Sequence, residues 1–179
     1  VGTTRCFCLQ EVIIMSQRVP MTPRGFQLLK SRLSHLRKVE RTQNIEDIEV
    51  ALAHGDLSEN AEYKYAKQRQ GEIDGQIQFC KARLAMAQVI NPGSLSGERV
   101  VFGATVDIAD LDTDEELIYK IVGDDEADIS SRLISISSPV ARGLIGREIG
   151  DEVTISTARG PRRFEILDVC FTNKLPNDE

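Results

Sequence analysis

The sequence predicts an α+β fold, in which a long antiparallel coiled-coil hairpin of two α-helices precedes a mostly antiparallel β domain with one short helix. Three observations predict it. Apolar residues repeat at heptad spacing through residues 57–90. The helix breakers Asn91-Pro92-Gly93-Ser94 follow directly. Beyond them apolar and polar residues alternate, which is the pattern of half-buried strands.

The first helix is predicted over residues 22–53. Thr22 is a favourable N-cap, and Pro23 suits the first helical position because the N–H that it lacks would have no partner there. The apolar stripe of this helix consists of Leu29, Leu33 and Leu36 and, after a gap, Ile45, Ile48 and Leu52. Because the stripe loses its spacing in the gap, we expect a bend or a loosened turn near residues 41–44.

The second helix, over residues 57–90, carries the most regular pattern of the chain. Its seam steps alternately by three and four residues through Tyr63, Ala66, Gln70, Ile73, Ile77, Cys80, Leu84 and Ala87. Gly55 suits the left-handed backbone conformation that commonly ends a helix, so the two helices should fold back on each other. Each helix of about 32 residues would reach roughly 48 Å. We therefore expect the tip of the hairpin to act away from the β domain.

The second half of the chain has the period of strands. Five alternating segments predict strands at residues 104–109, 117–122, 133–136, 153–157 and 164–169. Ser138 and Pro139 begin a short helix that runs to Ile145 and ends at Gly146. Arg159-Gly160-Pro161 is expected to turn a hairpin. These signals predict a small β domain with one helix.

Charge is divided unevenly along the chain. The formal net charge is −6, but residues 21–90 carry +2 whereas residues 91–179 carry −9. Such an acidic half disfavours broad, non-specific binding to a phosphate backbone. Any contact with nucleic acid is therefore expected to be local and to come from the first half.

Several classes of protein are disfavoured by composition. No apolar run approaches the roughly 20 residues that a membrane helix needs, and no complete secretory signal is evident. The four cysteines are too scattered for a disulfide framework. We therefore expect a cytoplasmic protein without membrane association. Residues 1–20 are expected to be a leader, either disordered or due to a misassigned start, residues 21–91 the hairpin, and residues 92–179 the β domain.

Two carboxylates at the hairpin tip, Asp56 and Glu59, lie three residues apart at the start of the second helix. One interpretation is a capping box, in which Asp56 accepts from a backbone N–H and Glu59 reaches back. The other is metal chemistry, because Mg²⁺ commonly takes one or two carboxylates from a protein. The pattern alone leaves both interpretations open.

Residues 54–63 (HGDLSENAEY) resemble the tip motif of the bacterial Gre family of transcript cleavage factors. The second half is similar to the GreA-like branch of this family at three further segments: residues 101–106 (VFGATV), 121–128 (IVGDDEAD) and 137–146 (SSPVARGLIG). The resemblance extends from about residue 19 to about residue 169.

The resemblance implies an FKBP-like β domain and a transcription elongation factor that binds RNA polymerase at the rim of its secondary channel. It implies that the polymerase cleaves its own nascent RNA near the backtracked 3′ end, so the factor is not an enzyme itself. No cofactor of its own is implied, and Mg²⁺ would be held jointly with the polymerase. We also expect a monomer.

The resemblance further assigns roles to residues. Asp56 and Glu59 are implied as the catalytic and metal-binding carboxylates, and Gly55, Ser58 and Asn60 as the residues that shape the tip. The polymerase-docking segment corresponds to Ser137, Ser138 and Pro139, and a basic patch facing RNA to Lys64, Lys67 and Arg69. The three basic residues also fit an ordinary solvated helix face. Many relatives have Arg where this chain has Leu52, which reduces the patch.

Two other functions remain open at this point. A coiled-coil adaptor or chaperone could hold clients along the rod, but it would expose apolar residues at the tip, where this chain has Asp56, Ser58 and Glu59. A channel-binding inhibitor of the polymerase could dock without stimulating cleavage. Retention of both carboxylates disfavours the inhibitor.

Overall fold

The computed structural model describes residues 18–53, 61–157 and 160–174. These residues form two compact units. Phe26–Ala87 is the helical unit, and the other unit combines residues 18–25 with the chain from residue 88 onward and contains the main sheet. The predicted α+β class is confirmed. Within the described residues, no helix is long and apolar enough to cross a membrane.

Three long helical segments make up the first part of the chain. Helix α1 spans Pro23–His35, a π-helical turn spans Leu36–Glu40, helix α2 spans Arg41–Ala53, and helix α3 spans Ala61–Met86. The loosened turn therefore exists but precedes the predicted position at residues 41–44, which are regular α-helix. The second helix is shorter than predicted at its end, because residues 87–89 are a strand.

The π-helical turn changes which residues of α2 are buried. Before the turn, Leu36 is 1% exposed, as its spacing predicts. After it, Asn44 and Ala51 are buried, whereas Ile45 and Leu52 are 44% and 45% exposed. The prediction that Ile45 and Leu52 continue the buried stripe is therefore wrong. A π turn holds more residues than an α turn, so it rotates every following side chain about the helix axis.

Helix α3 buries the seam that its spacing predicts. Ala66, Ile73, Ile77 and Cys80 are all at most 4% exposed, and the other seam residues are half-buried. Polar contacts among the described residues join α3 to the earlier helical segments: Arg32 with Gln76, Glu40 with Arg69, Arg41 with Asp74, and Asn44 with Ala66. Because Arg32 meets the later part of α3 and Asn44 meets its start, the helices run antiparallel.

The second unit is built on a five-stranded sheet. Its strands are β3 (Thr105–Asp110), β4 (Glu115–Val122), β5 (Leu133–Ser135), β6 (Glu152–Thr157) and β7 (Gly160–Cys170), in the order β5-β4-β3-β7-β6. Neighbours are antiparallel except β4 and β5, which are parallel. All five predicted strands are confirmed. Helix α4 (Pro139–Leu144) buries Ala141 and Leu144 completely in the core of this unit.

Two short strands were not predicted. Strand β1 (Val19–Met21) pairs with β2 (Ala87–Val89) in a separate two-stranded sheet. Three-residue strands are too short to show an alternating pattern, and β2 continues the heptad spacing of α3. The Ile90 N–H donates to the Met21 carbonyl at 2.9 Å, which extends this pairing.

The start of α1 is capped by two side chains. Thr22 Oγ1 accepts from the Gly25 N–H at 3.1 Å, which confirms the predicted N-cap. The buried Glu126 carboxylate then accepts from the Thr22 N–H at 2.8 Å, from the Thr22 hydroxyl at 2.5 Å and from the Gly123 N–H at 3.2 Å. A Cβ on Gly25 would lie only 2.4 Å from the carboxyl carbon of Glu126, so a larger residue here would displace the carboxylate from this network.

Candidate functional site

The predicted catalytic segment connects the end of α2 to the start of α3. Gly55, Asp56, Ser58, Glu59 and Asn60 all fall in residues 54–60, which lie outside the described residues. The flanking helix ends, at Ala53 and Ala61, are described. The structure therefore describes the two helices that this segment joins in the chain.

A cavity of about 590 Å³ lies between α2 and α3 beside these helix ends. Its lining residues are Asn44, Asp47, Val50, Ala51, Ala61, Glu62, Tyr65, Ala66 and Arg69. Tyr65 is 71% exposed, so its ring is available on the surface. Two carboxylates and one guanidinium give the lining a mixed charge.

The three predicted basic residues on α3 have different environments. Lys64 and Lys67 are exposed and, being three residues apart, share one face of the helix. The Lys67 Nζ donates to Gln70 Oε1 at 2.6 Å. Arg69 follows Lys67 by two residues, about 200° around the helix. It pairs across the helices with Glu40 at 2.7 Å. The structure thus brings Lys64 and Lys67 together and gives Arg69 a contact between the helices.

The predicted docking segment begins at the end of β5. Ser138 Oγ accepts from the Ala141 N–H at 3.1 Å, and Pro139 occupies the first turn of α4, so this pair starts the helix as its sequence predicts. The Ser137 hydroxyl is exposed and donates to Asp124 Oδ1 at 2.7 Å. Ser135 donates to the same oxygen, and the Ser137 N–H donates to Ser135 Oγ at 2.9 Å.

Asp124 is therefore part of this surface, although the sequence analysis did not select it. Its carboxylate holds two serine hydroxyls that lie 11 and 13 residues further along the chain. Its signals in the sequence are the family-like segment 121–128 and, within it, the acidic run Asp124-Asp125-Glu126 soon after a strand. That run predicts a turn, but it does not show which residues the turn meets.

The turn at residues 128–131, which precedes β5, is acidic and partly apolar. The Asp128 carboxylate accepts from the Ser130 hydroxyl at 2.6 Å and from the Ser131 hydroxyl at 2.7 Å. The hydrogen bond from the Ser130 side chain lowers the pKa of Asp128 most, and the bond from Ser131 adds to it. Asp128 therefore remains ionised at neutral pH. Ile129, between Asp128 and Ser130, is 82% exposed. This turn thus offers a negative charge and an exposed aliphatic side chain.

Two family models match the two halves of the chain. The N-terminal domain model of transcription elongation factors matches residues 19–89, and the C-terminal GreA/GreB model matches residues 95–171. The chain belongs to the GreA/GreB family of transcription elongation factors. The resemblance predicted from four segments is therefore confirmed across most of the chain.

Individual GreA factors agree with this assignment. The transcription elongation factor GreA of Syntrophotalea carbinolica is 48% identical over 157 residues, which are 88% of this chain and 99% of that protein. GreA of Caulobacter vibrioides is 52% identical over 153 residues, which are 86% of this chain and 98% of that protein. A solved structure, GreA factor homolog 1 of Thermus thermophilus, is 25% identical, covers 85% of this chain and 98% of its own, and has a TM-score of 0.39.

The family assignment also bears on catalysis. As a GreA-type factor, the chain is a transcription elongation factor that stimulates transcript cleavage, not an enzyme itself. Across the part of the chain that the structure describes, no group of three or more His, Cys, Asp or Glu side chains could hold a metal ion. Asp56 and Glu59 lie outside that part of the chain.

Proposed function

We propose that this chain enters the secondary channel of bacterial RNA polymerase and stimulates cleavage of backtracked nascent RNA through Asp56 and Glu59, which releases arrested complexes. The observation that carries this proposal is the match to GreA factors across both halves of the chain, at about 50% identity. The motif at residues 54–63 adds to it, because both carboxylates are present.

The two units of the fold support a separation of cleavage stimulation from docking. We propose that α1, α2 and α3 form an antiparallel coiled-coil hairpin whose tip is residues 54–60, and that the β domain has an FKBP-like fold that docks on the polymerase. The hairpin would span residues 21–91 and the β domain residues 92–179. The factor would act as a monomer in the cytoplasm, beside the polymerase.

The tip residues are proposed to supply ligands that the polymerase lacks. Carboxylate oxygens are the donors that Mg²⁺ prefers, so the donor set of Asp56 and Glu59 fits a metal shared with the polymerase. Mg²⁺ held there would stabilise the charge of the attacking and leaving oxygens. Asp56 and Glu59 would complete its shell and orient a water, while Gly55, Ser58 and Asn60 would fix the shape of the turn.

Lys64 and Lys67 are proposed to guide the extruded RNA. They are exposed on one face of α3 and follow the tip by one to two helical turns. Arg69 belongs to the same proposed patch but is also held by Glu40 and Glu72. We therefore assign most of the RNA contact to the two lysines.

Docking is proposed to use Ser137, Ser138 and Pro139, with Asp124 holding Ser137 in place. The two hydrogen bonds that Asp124 accepts fix the orientation of the segment before α4. The Asp124 carboxylate gives this segment a negative charge, which suits a basic partner surface on the rim of the secondary channel.

Replacing Asp124 by Ala should weaken binding to the polymerase about tenfold. Hydrogen bonds to a charged acceptor contribute roughly 1.5–3 kcal/mol, and their loss frees Ser135 and Ser137. Ser137→Lys should weaken binding at least as much, since it places a positive charge on a negative surface. Competition with labelled wild-type factor for the polymerase measures both effects.

Glu116→Ala, which removes an exposed carboxylate at the other end of β4, is the control and should bind like wild type. Equal binding by Asp124→Ala and wild type would contradict the role assigned to Asp124.

The function itself is tested on stalled, backtracked RNA polymerase with radiolabelled nascent RNA. Addition of the full chain should release a short 3′ RNA fragment and allow the complex to resume synthesis. Slowed synthesis without a released fragment would instead identify a channel-binding inhibitor. No change in cleavage or synthesis, together with no binding to the polymerase, would leave the coiled-coil adaptor as the better account.

A further inference from the structure

We propose that Asn44 is a positioning residue, whose buried side-chain amide fixes the axial register of the two antiparallel helices and so the position of the tip. This inference rests on the proposed role of the tip carboxylates. Asn44 is 3% exposed, and its Nδ2 donates to the Ala66 carbonyl of α3 at 2.9 Å. It is therefore a polar side chain inside an interface that is otherwise mainly apolar.

The site opposite Asn44 is specific to one register. Ala66 is 4% exposed and is the small residue of this part of the seam, between the larger Tyr63 and Gln70. A slip of one helical turn would set the amide against one of these larger side chains and separate it from the Ala66 carbonyl. The slip would therefore crowd the buried amide and break its bond to the Ala66 carbonyl, so the alternative register is disfavoured.

The remaining contacts specify the register less strongly. The apolar seam repeats every three or four residues, so it also packs after a slip of one repeat. The ion pairs Glu40–Arg69 and Arg41–Asp74 join long, partly exposed side chains, which can follow a small displacement. A single buried Asn is known to fix register in coiled coils at a cost in stability.

The π-helical turn places Asn44 in this position. If the apolar stripe of the first helix continued without the π-helical turn, the buried residue would be Ile45, which is instead 44% exposed. The molecule thus exposes an isoleucine and buries an amide at the same level of α2. An apolar side chain at position 44 would gain burial energy, so the amide reduces stability while it selects one alignment.

The register of α2 against α3 matters because residues 54–60, with Asp56 and Glu59, join these two helices in the chain. The Asn44–Ala66 bond lies nine residues before the end of α2 and five residues after the start of α3. A slip of one turn would displace one helix end from the other by about 5.4 Å. The connecting residues 54–60 would have to absorb this displacement, and Asp56 and Glu59 would move with them.

The test replaces the amide by an apolar side chain in the full-length protein. Asn44→Leu should raise the melting temperature by about 3 °C, because an apolar side chain at this buried position gains burial energy. It should lower the maximal cleavage rate about tenfold or more, because small misplacements of catalytic groups are costly. The factor concentration that gives half-maximal cleavage should not change, since docking is not involved. Asn44→Ala, which adds no bulk, should lower the maximal rate in the same way.

Gln70→Leu is the matched control. Gln70 is the polar residue of the α3 seam. Its Oε1 accepts from Lys67 on its own helix, and within the part of the chain that the structure describes it makes no bond across the interface. It should gain stability without losing cleavage. A wild-type maximal rate for both Asn44 variants, an equal loss in Gln70→Leu, or a rise in the half-maximal concentration would each overturn the inference. Asp56→Asn, measured in parallel, separates this result from the tip proposal: wild-type cleavage by Asp56→Asn would refute the tip role itself.

Discussion

Asp56→Asn and Glu59→Gln should each lower the rate of stimulated RNA cleavage about 10²- to 10³-fold, the usual cost of removing one preorganised electrostatic interaction. Each change keeps the size of the side chain and most of its hydrogen bonding but removes the negative charge. A capping role predicts the opposite, because Asn caps a helix about as well as Asp does. The rate of 3′ fragment release from a backtracked polymerase measures the difference.

Both tip variants should still fold and still compete with wild-type factor for the polymerase, because the proposed docking residues lie in the other unit. Glu62→Gln is the matched control, since it neutralises a carboxylate in the first turn of α3 that we do not assign to the metal. Wild-type cleavage rates for the two tip variants would show that Asp56 and Glu59 act as a capping box and not as metal ligands.

Glu126→Ala should destabilise the β-domain unit by about 3 kcal/mol, within the range for removing one partner of a buried charged network. The substitution leaves the Thr22 N–H, the Thr22 hydroxyl and the Gly123 N–H without their acceptor. It also removes a negative charge near the buried Lys120, whose pKa burial lowers and Glu126 partly restores. Hydrogen exchange of the β3 and β4 amides measures the loss.

Glu126→Gln is the control for this prediction. Its amide oxygen can still accept from the two backbone N–H groups, so its cost should be much smaller. Gly25→Ala should act on the same network, because the new Cβ would displace the Glu126 carboxylate. Combining Gly25→Ala with Glu126→Ala should therefore cost less than the sum of the two. Additive effects would show that Gly25 and Glu126 act separately.

Local periodicity in the sequence predicted most of the regular structure. The seam of α3 and the five strands of the main sheet repeat apolar residues at the period of their own backbone, so each could be found without knowing its neighbours. The Thr22 cap and the Ser138 helix start were equally local, because the side chain bonds to an N–H three residues away.

Features that depend on distant partners could not be predicted in this way. The π-helical turn at Leu36–Glu40 contacts α3 through Glu40 and Arg69, and a pattern of spacings does not place such a turn. The same turn explains why Asn44 was not selected, since the apolar pattern favours Ile45. Asp124 was missed because β5 and the segment after it bring Ser135 and Ser137 to it only in the folded sheet.

The central claim, that the tip carboxylates complete a metal site in the polymerase, is tested most directly by the Mg²⁺ dependence of cleavage. Cleavage in a backtracked complex should be measured across a Mg²⁺ titration with no factor, with wild-type factor and with Asp56→Asn. We predict that wild-type factor lowers the Mg²⁺ concentration for half-maximal cleavage, and that Asp56→Asn needs more Mg²⁺ and is partly rescued by it. The same half-maximal Mg²⁺ concentration in all three reactions would contradict the claim.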